Sequence, residues 1–107
     1  MRSRSTSARY KKMYLLLADV EVYLHGAINL KQKRMVIKSY KDHMKNKLDL
    51  VVREERFQDK WQRSGLVMAT LADNRDLLDR VFRDAVDFLL NHYDVDIIEE
   101  NYEIVAL

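Results

Sequence analysis

The 107-residue chain carries 19 Lys and Arg against 17 Asp and Glu, a formal charge of +2, and contains no Cys, no Pro and two Gly. That length fits one domain with its own core, and the absence of thiols excludes a disulfide framework, thiol catalysis and thiolate metal sites. A reducing cytoplasm is the expected location.

Residues 1–12, MRSRSTSARYKK, are rich in Ser and Arg and almost devoid of apolar side chains, so burial cannot offset their ordering entropy. A disordered basic arm is expected there. The apolar stretch Met13–Ala18 is far shorter than a membrane span and lacks a following small-residue cleavage site. It reads as the opening of a strand over Tyr14–His25, with Leu16, Ala18, Val20, Val22 and Leu24 on one face and Asp19, Glu21 and Tyr23 on the other. Gly26 breaks the strand, and Asn29 is placed to cap a helix over Leu30–Leu48 with its side-chain oxygen. Val36, Ile37, Tyr40, Met44 and Leu48 form the apolar face of that helix. Lys31, Arg34, Lys38, Lys41 and Lys45, three or four residues apart, fall within roughly a quarter of its circumference as one positive ridge.

A second strand is expected over Asp49–Glu54, with Leu50 and Val52 inward and Val51 and Arg53 outward. After a polar connection over Glu55–Lys60, a third strand follows over Trp61–Leu71. Ala72, Asp73 and Asn74 stop it and start a second helix reaching His92, with Asp73 and Asp76 in the first turn, where the helix dipole favours them. Its apolar face comprises Leu77, Leu78, Val81, Phe82, Ala85, Phe88 and Leu89. A last strand, Val95–Val105, sets Ile98, Tyr102 and Ile104 against Glu99, Asn101 and Glu103. The order β-α-β-β-α-β predicts an α+β, ferredoxin-like sandwich: a four-stranded antiparallel sheet of order 4-1-3-2 with both helices on one face.

VEVYLHGAINLKQKR resembles the opening of the YlxP-like family, also called domain of unknown function 503, through Gly26, Ala27, Leu30, Lys31, Lys33 and Arg34. A second signature of that family, Gln-Asp-x-Trp-Gln-Arg, matches Gln58, Asp59, Trp61, Gln62 and Arg63, with Glu54 at an acidic position before it and Tyr102, Glu103 and Ile104 in the closing strand. His25 stands where the family often has Pro, and Asn29 where Ser is usual; Asn retains the capping oxygen. The resemblance spans about Met13 to Leu107 and implies a small ferredoxin-like bacterial protein encoded among transcription, translation-initiation and ribosome-maturation genes.

Charge is unevenly distributed: Lys31–Arg63 holds eleven cations and five acids, whereas Asp73–Glu103 holds ten acids and three cations. An anionic partner is the leading expectation, with Lys31, Lys33, Arg34, Lys38, Lys41 and Lys45 contacting structured RNA or a ribosomal particle, aided by the arm. The alternative is a solvated helix face paired to Asp42, Glu54 or the acidic second helix. Base stacking on the open sheet face is disfavoured, because Asp19, Glu21, Glu99 and Glu103 repel phosphate and Tyr23 alone offers a ring. Trp61 is expected to cover a sheet edge while Arg63 pairs with Glu21 or Glu54; the alternative is an anchor, with Trp61 as a contact and Arg63 as a bidentate donor to phosphate or carboxylate.

His25, His43 and His92 lack metal-ligand spacing, and neither a Gly-rich phosphate loop nor a Ser nucleophile with a placed base occurs, so a non-enzymatic protein without cofactor or metal is expected. Val51, Val67, Ala69 and Leu71 on the open face suggest a homodimer. A small-ligand regulatory module binding near Gly26, or an adaptor whose acidic half docks a basic protein, are the other readings.

Overall fold

A computed structural model describes residues 12–107. The basic arm expected over residues 1–12 lies, apart from Lys12, outside the described residues. The elements are β1 (Tyr14–Leu24), α1 (Leu30–Leu48), β2 (Val51–Arg56), β3 (Arg63–Ala72), α2 (Arg75–His92) and β4 (Val95–Ala106). They form one four-stranded sheet of order β2-β3-β1-β4, with β1 antiparallel to both β3 and β4, and β2 antiparallel to β3. This is the expected 4-1-3-2 order. No helix among the described residues is long and apolar enough to cross a membrane.

Alternation in β1 decides which face is covered. Leu16, Ala18, Val20, Val22 and Leu24 are all buried, and beneath α1 and α2 they meet Leu50, Val52, Leu66 and Met68 from β2, its approach and β3. Ile37, Tyr40 and Met44 of α1 and Leu78, Val81, Phe82, Ala85 and Leu89 of α2 close the core from above. The Tyr40 hydroxyl donates to the Ala85 carbonyl at 2.8 Å, a polar tie between the helices. Burial, and next the neighbouring Tyr93, push the Tyr40 hydroxyl well above the ordinary tyrosine range.

Asn29 caps α1, its Oδ1 accepting from the Gln32 amide at 2.9 Å, and Asn74 caps α2 by accepting from Leu77 at 3.1 Å. Asp49 ends α1 in the left-handed region (φ 53°), where its amide donates to the Lys45 carbonyl.

Five expectations need correction. The second strand runs Val51–Arg56 rather than Asp49–Glu54, because Asp49 still caps α1. β3 starts at Arg63, because the chain is still turning at Trp61 and Gln62. Asp73 lies before the Asn74 cap, so Asp76 alone represents acid in the first turn of α2. Leu77 is 39% exposed, and Val86 takes part in the buried face of α2. In β4 the inward residue is Ile97, whereas Ile98 is 47% exposed, because the β1–β4 register slips between Glu21 and Val22. An extra residue in one strand moves everything beyond it to the opposite face.

Candidate functional site

α1 presents two rows of cationic chemistry with opposite fates. Lys31, Arg34, Lys38, Lys41 and Lys45 are exposed along one side. At about 1.5 Å per residue that row runs about 21 Å. Lys38 pairs with Asp42 one turn on, at 3.0 Å with both side chains well exposed, an arrangement of small net stability. Among the described residues, Lys31, Arg34, Lys41 and Lys45 have no carboxylate at ion-pair distance. Neither Glu54 nor the acidic α2 neutralises the row. Arg34, Ile37, Lys38 and Lys41 also form the α1 wall of a shallow groove whose β2 wall is Arg53 and Glu54.

Lys33 does not belong to this row. It is fully buried, so the expectation that it contacts phosphate is corrected. It lies in one stripe with Ile37, Tyr40 and Met44, and its ammonium reaches under the β2–β3 connection. There it donates to the carbonyls of Phe57 at 2.6 Å, Lys60, and Arg63 at 3.0 Å, and pairs with Glu54 at 2.7 Å. Glu54 accepts a further bond from the buried Ser64 hydroxyl at 2.8 Å. The buried ammonium thus gives its three N–H bonds to carbonyls of the connection and of the start of β3, and its charge is balanced by Glu54. The connection it holds contains Phe57, whose φ of 61° lies in the left-handed region.

The second sequence signature surrounds this clamp. Gln58 donates weakly to the Glu54 carbonyl at 3.4 Å, Asp59 is exposed, and the Gln62 carbonyl accepts from Leu24 at 2.8 Å. Arg63 pairs with Glu21, as one of the two alternatives expected, through an Nε–Oε2 bond of 2.6 Å, and its guanidinium lies 4.9 Å from the Phe57 ring. Trp61 remains 48% exposed.

On the open sheet face, sequence reasoning missed a second ion pair: Arg56 grips Asp19 through two bonds of 3.0 and 2.7 Å. That hydrogen bonding to Asp19 raises the Arg56 pKa further. Gly65 makes the reach possible, since a Cβ there would meet Arg56 Cζ at 2.7 Å and its Cβ at 2.8 Å. Gly26 is different. Its φ is not positive, and an added Cβ would meet Asp94 at an ordinary 3.7 Å. Beside it, Ala27, Gln32, Met35, Tyr93 and Asp94 line a groove of about 380 Å³. His25 bonds to Asp96 at 2.7 Å, and the His43 and His92 rings contact carbonyls one turn back. Among the described residues no three His, Cys, Asp or Glu side chains converge as a metal site.

The family model described as "Protein of unknown function (DUF503)" matches residues 15–102. The chain belongs to the DUF503 family. This DUF503 chain is 33% identical over 58 residues to "Uncharacterized protein YlxP" of Bacillus subtilis (strain 168), a stretch covering 54% of this chain and 63% of that relative. In structure it is similar to "De novo designed protein Foldit4", with a TM-score of 0.51 and 11% identity over 89% of this chain and 98% of that one. It is also similar to "Structural Genomics, protein YJCS", with a TM-score of 0.53 and 4% identity over 83% of this chain and 96% of that one. At such identities these two likenesses concern the fold alone.

Proposed function

We propose that this chain is a non-enzymatic, cytoplasmic RNA-binding protein that docks on structured RNA, free or within a ribosomal particle, through the exposed row Lys31, Arg34, Lys38, Lys41 and Lys45. The observation that supports this reading is the run of cations on α1, of which Lys31, Arg34, Lys41 and Lys45 have no carboxylate partner among the described residues and Lys38 has only the exposed Asp42. A row about 21 Å long suits a succession of backbone phosphates, each of which releases counterions when neutralised. Lys31 and Arg34 also lie in the first turns of α1, the positive end of the helix dipole, where no acidic side chain offsets them. An arriving phosphate relieves that accumulation of charge. Recognition of this kind follows backbone and shape rather than base identity.

Co-sedimentation of the chain with ribosomal subunits and with free ribosomal RNA, across a salt series, tests the reading. Five phosphate contacts give a log-log salt slope of about −3.5 to −4.5. Replacing Arg34, Lys38 and Lys41 together by Glu abolishes binding and leaves the fold intact, since all three side chains are exposed. Absence of binding by the unaltered chain at low salt refutes the proposal. The groove beside Gly26 then becomes the better candidate, as a site for a small ligand.

A further inference from the structure

We infer that a second copy of this chain covers the open sheet face, about a two-fold axis parallel to the strands. Cross-strand register divides that face into an apolar half and a charged half. In the first, Leu15 stands opposite Leu71 and Val105, and Leu17 opposite Ala69, which in turn faces Val51. Leu17, Val51 and Leu71 are 41%, 59% and 55% exposed, side by side rather than scattered. In the second half lie the pairs Arg56–Asp19 and Arg63–Glu21. The outer strands differ in sign: the edge strand β2 brings Arg56 and the rim residue Arg53, which is loosely paired with the exposed Glu55 at 3.8 Å, whereas β4 brings Glu99 and Glu103.

A two-fold interface joins the same patch on both copies, so each candidate axis makes a definite pairing. An axis across the strands lays β2 on β2 and the apolar half on the charged half. That placement opposes like charges and buries ion pairs beneath aliphatic side chains. An axis along the strands keeps Leu15, Leu17, Ala69 and Leu71 of the two central strands on one another and sets β2 of one copy over the acidic β4 of the other, with Val51 above Glu103 at the rim. Arg53, in register with Val67 and through it with Asp19 and Asn101, then lies one step from the partner copy's Glu103.

Aligned sheets pack about 10 Å apart, within reach of such side chains. Strands spaced about 4.8 Å apart and rising about 3.3 Å per residue give a face of about 600 Å² per copy. About 1,200 Å² for the pair reaches the lower bound of specific interfaces, enough for a dimer in equilibrium with its monomer. α1 lies on the opposite side of the sheet, which leaves its cationic row open in the dimer.

Sedimentation equilibrium of the full chain without RNA, over micromolar concentrations, tests this. A monomer–dimer equilibrium is expected, weakened about tenfold or more by Leu71→Asp. Arg53→Glu alone and Glu103→Arg alone each weaken it, and the two together restore it, while far-UV circular dichroism stays unchanged in every variant. A chain monomeric at all concentrations overturns the proposal, as does a dimer indifferent to Leu71→Asp. Failure of the charge swap to restore association overturns the axis. If Leu71→Asp unfolds the chain, the Arg53 and Glu103 variants decide the matter.

Discussion

Lys33→Met removes a buried ammonium while keeping most of the side chain's length and volume. Its loss strands Glu54, whose side chain is only 16% exposed, and leaves the carbonyls of Phe57, Lys60 and Arg63 without their shared donor. Breaking a buried pair by deleting one member costs about 3–5 kcal/mol, because the remaining charge stays desolvated. Against a total stability of about 5–15 kcal/mol for a domain of this size, that is a large fraction. Urea unfolding measures it directly, and amide exchange locates it: protection falls first between Phe57 and Gln62. Adding Glu54→Gln to Lys33→Met recovers part of the loss, since the orphaned charge goes too. If the exposed row binds RNA as proposed, the folded fraction of Lys33→Met does so with an unaltered salt slope, because the Lys33 ammonium is buried under the β2–β3 connection. A stability loss below about 1 kcal/mol without faster exchange in the connection refutes the clamp. A reduced salt slope restores Lys33 to the binding row.

Gly65→Ala drives a methyl group into Arg56 and displaces it from Asp19. About 1–3 kcal/mol is lost on chemical denaturation, chiefly because Arg56 Cβ, 2.8 Å from the new methyl, cannot rotate away and the β2–β3 pairing must spread, the exposed ion pair itself adding little. Asp19→Ala then costs almost nothing further in the Gly65→Ala background, and additive losses refute the coupling. Tyr40 makes stability depend on alkaline pH. Its folded pKa is raised above the ordinary value of 10.0, so above about pH 10 the unfolded chain releases a proton that the folded chain retains, and stability falls as pH rises. Tyr40→Phe lowers stability at neutral pH by about 1 kcal/mol, through the lost bond to Ala85, and flattens that alkaline decline. Thermal unfolding between pH 8 and about pH 11 compares the two, and parallel curves refute the assignment.

The fold was legible because its signals are local. Alternation in β1, the Asn29 and Asn74 caps and the apolar stripes of both helices sufficed for element order, and short connections for the sheet order. Features that depend on pairing were not. Ile97 and Ile98 are adjacent and equally apolar, and a register slip opposite Glu21 and Val22 decides which one faces the core. Asp19 and Arg56 are 37 residues apart in sequence, and their meeting requires both the β1–β3–β2 register and the vacancy above Gly65. Lys33 was readable in principle. Counting by three and four residues puts it in line with Ile37, Tyr40 and Met44, but a charge is normally assigned to water and burial depends on partners elsewhere in the chain.

The clamp also changes what the two sequence signatures mean. Leu30 to Arg34 and Gln58 to Arg63 are separated in the chain, yet Lys33 from the first holds the carbonyls that frame the second, with Glu54 as counter-ion. The two signatures are therefore largely one structural device, and matching both identifies the fold without identifying a ligand. Lys38, Lys41 and Lys45 lie outside both signatures and contribute nothing to the clamp. Lys31 and Arg34 belong both to a signature and to the exposed row. If the row binds RNA, the effects of Lys38 and Lys41 variants appear in binding without a stability cost, whereas Lys33 and Glu54 variants appear in stability first. The separation between those two classes of effect distinguishes residues kept for the fold from residues kept for a partner.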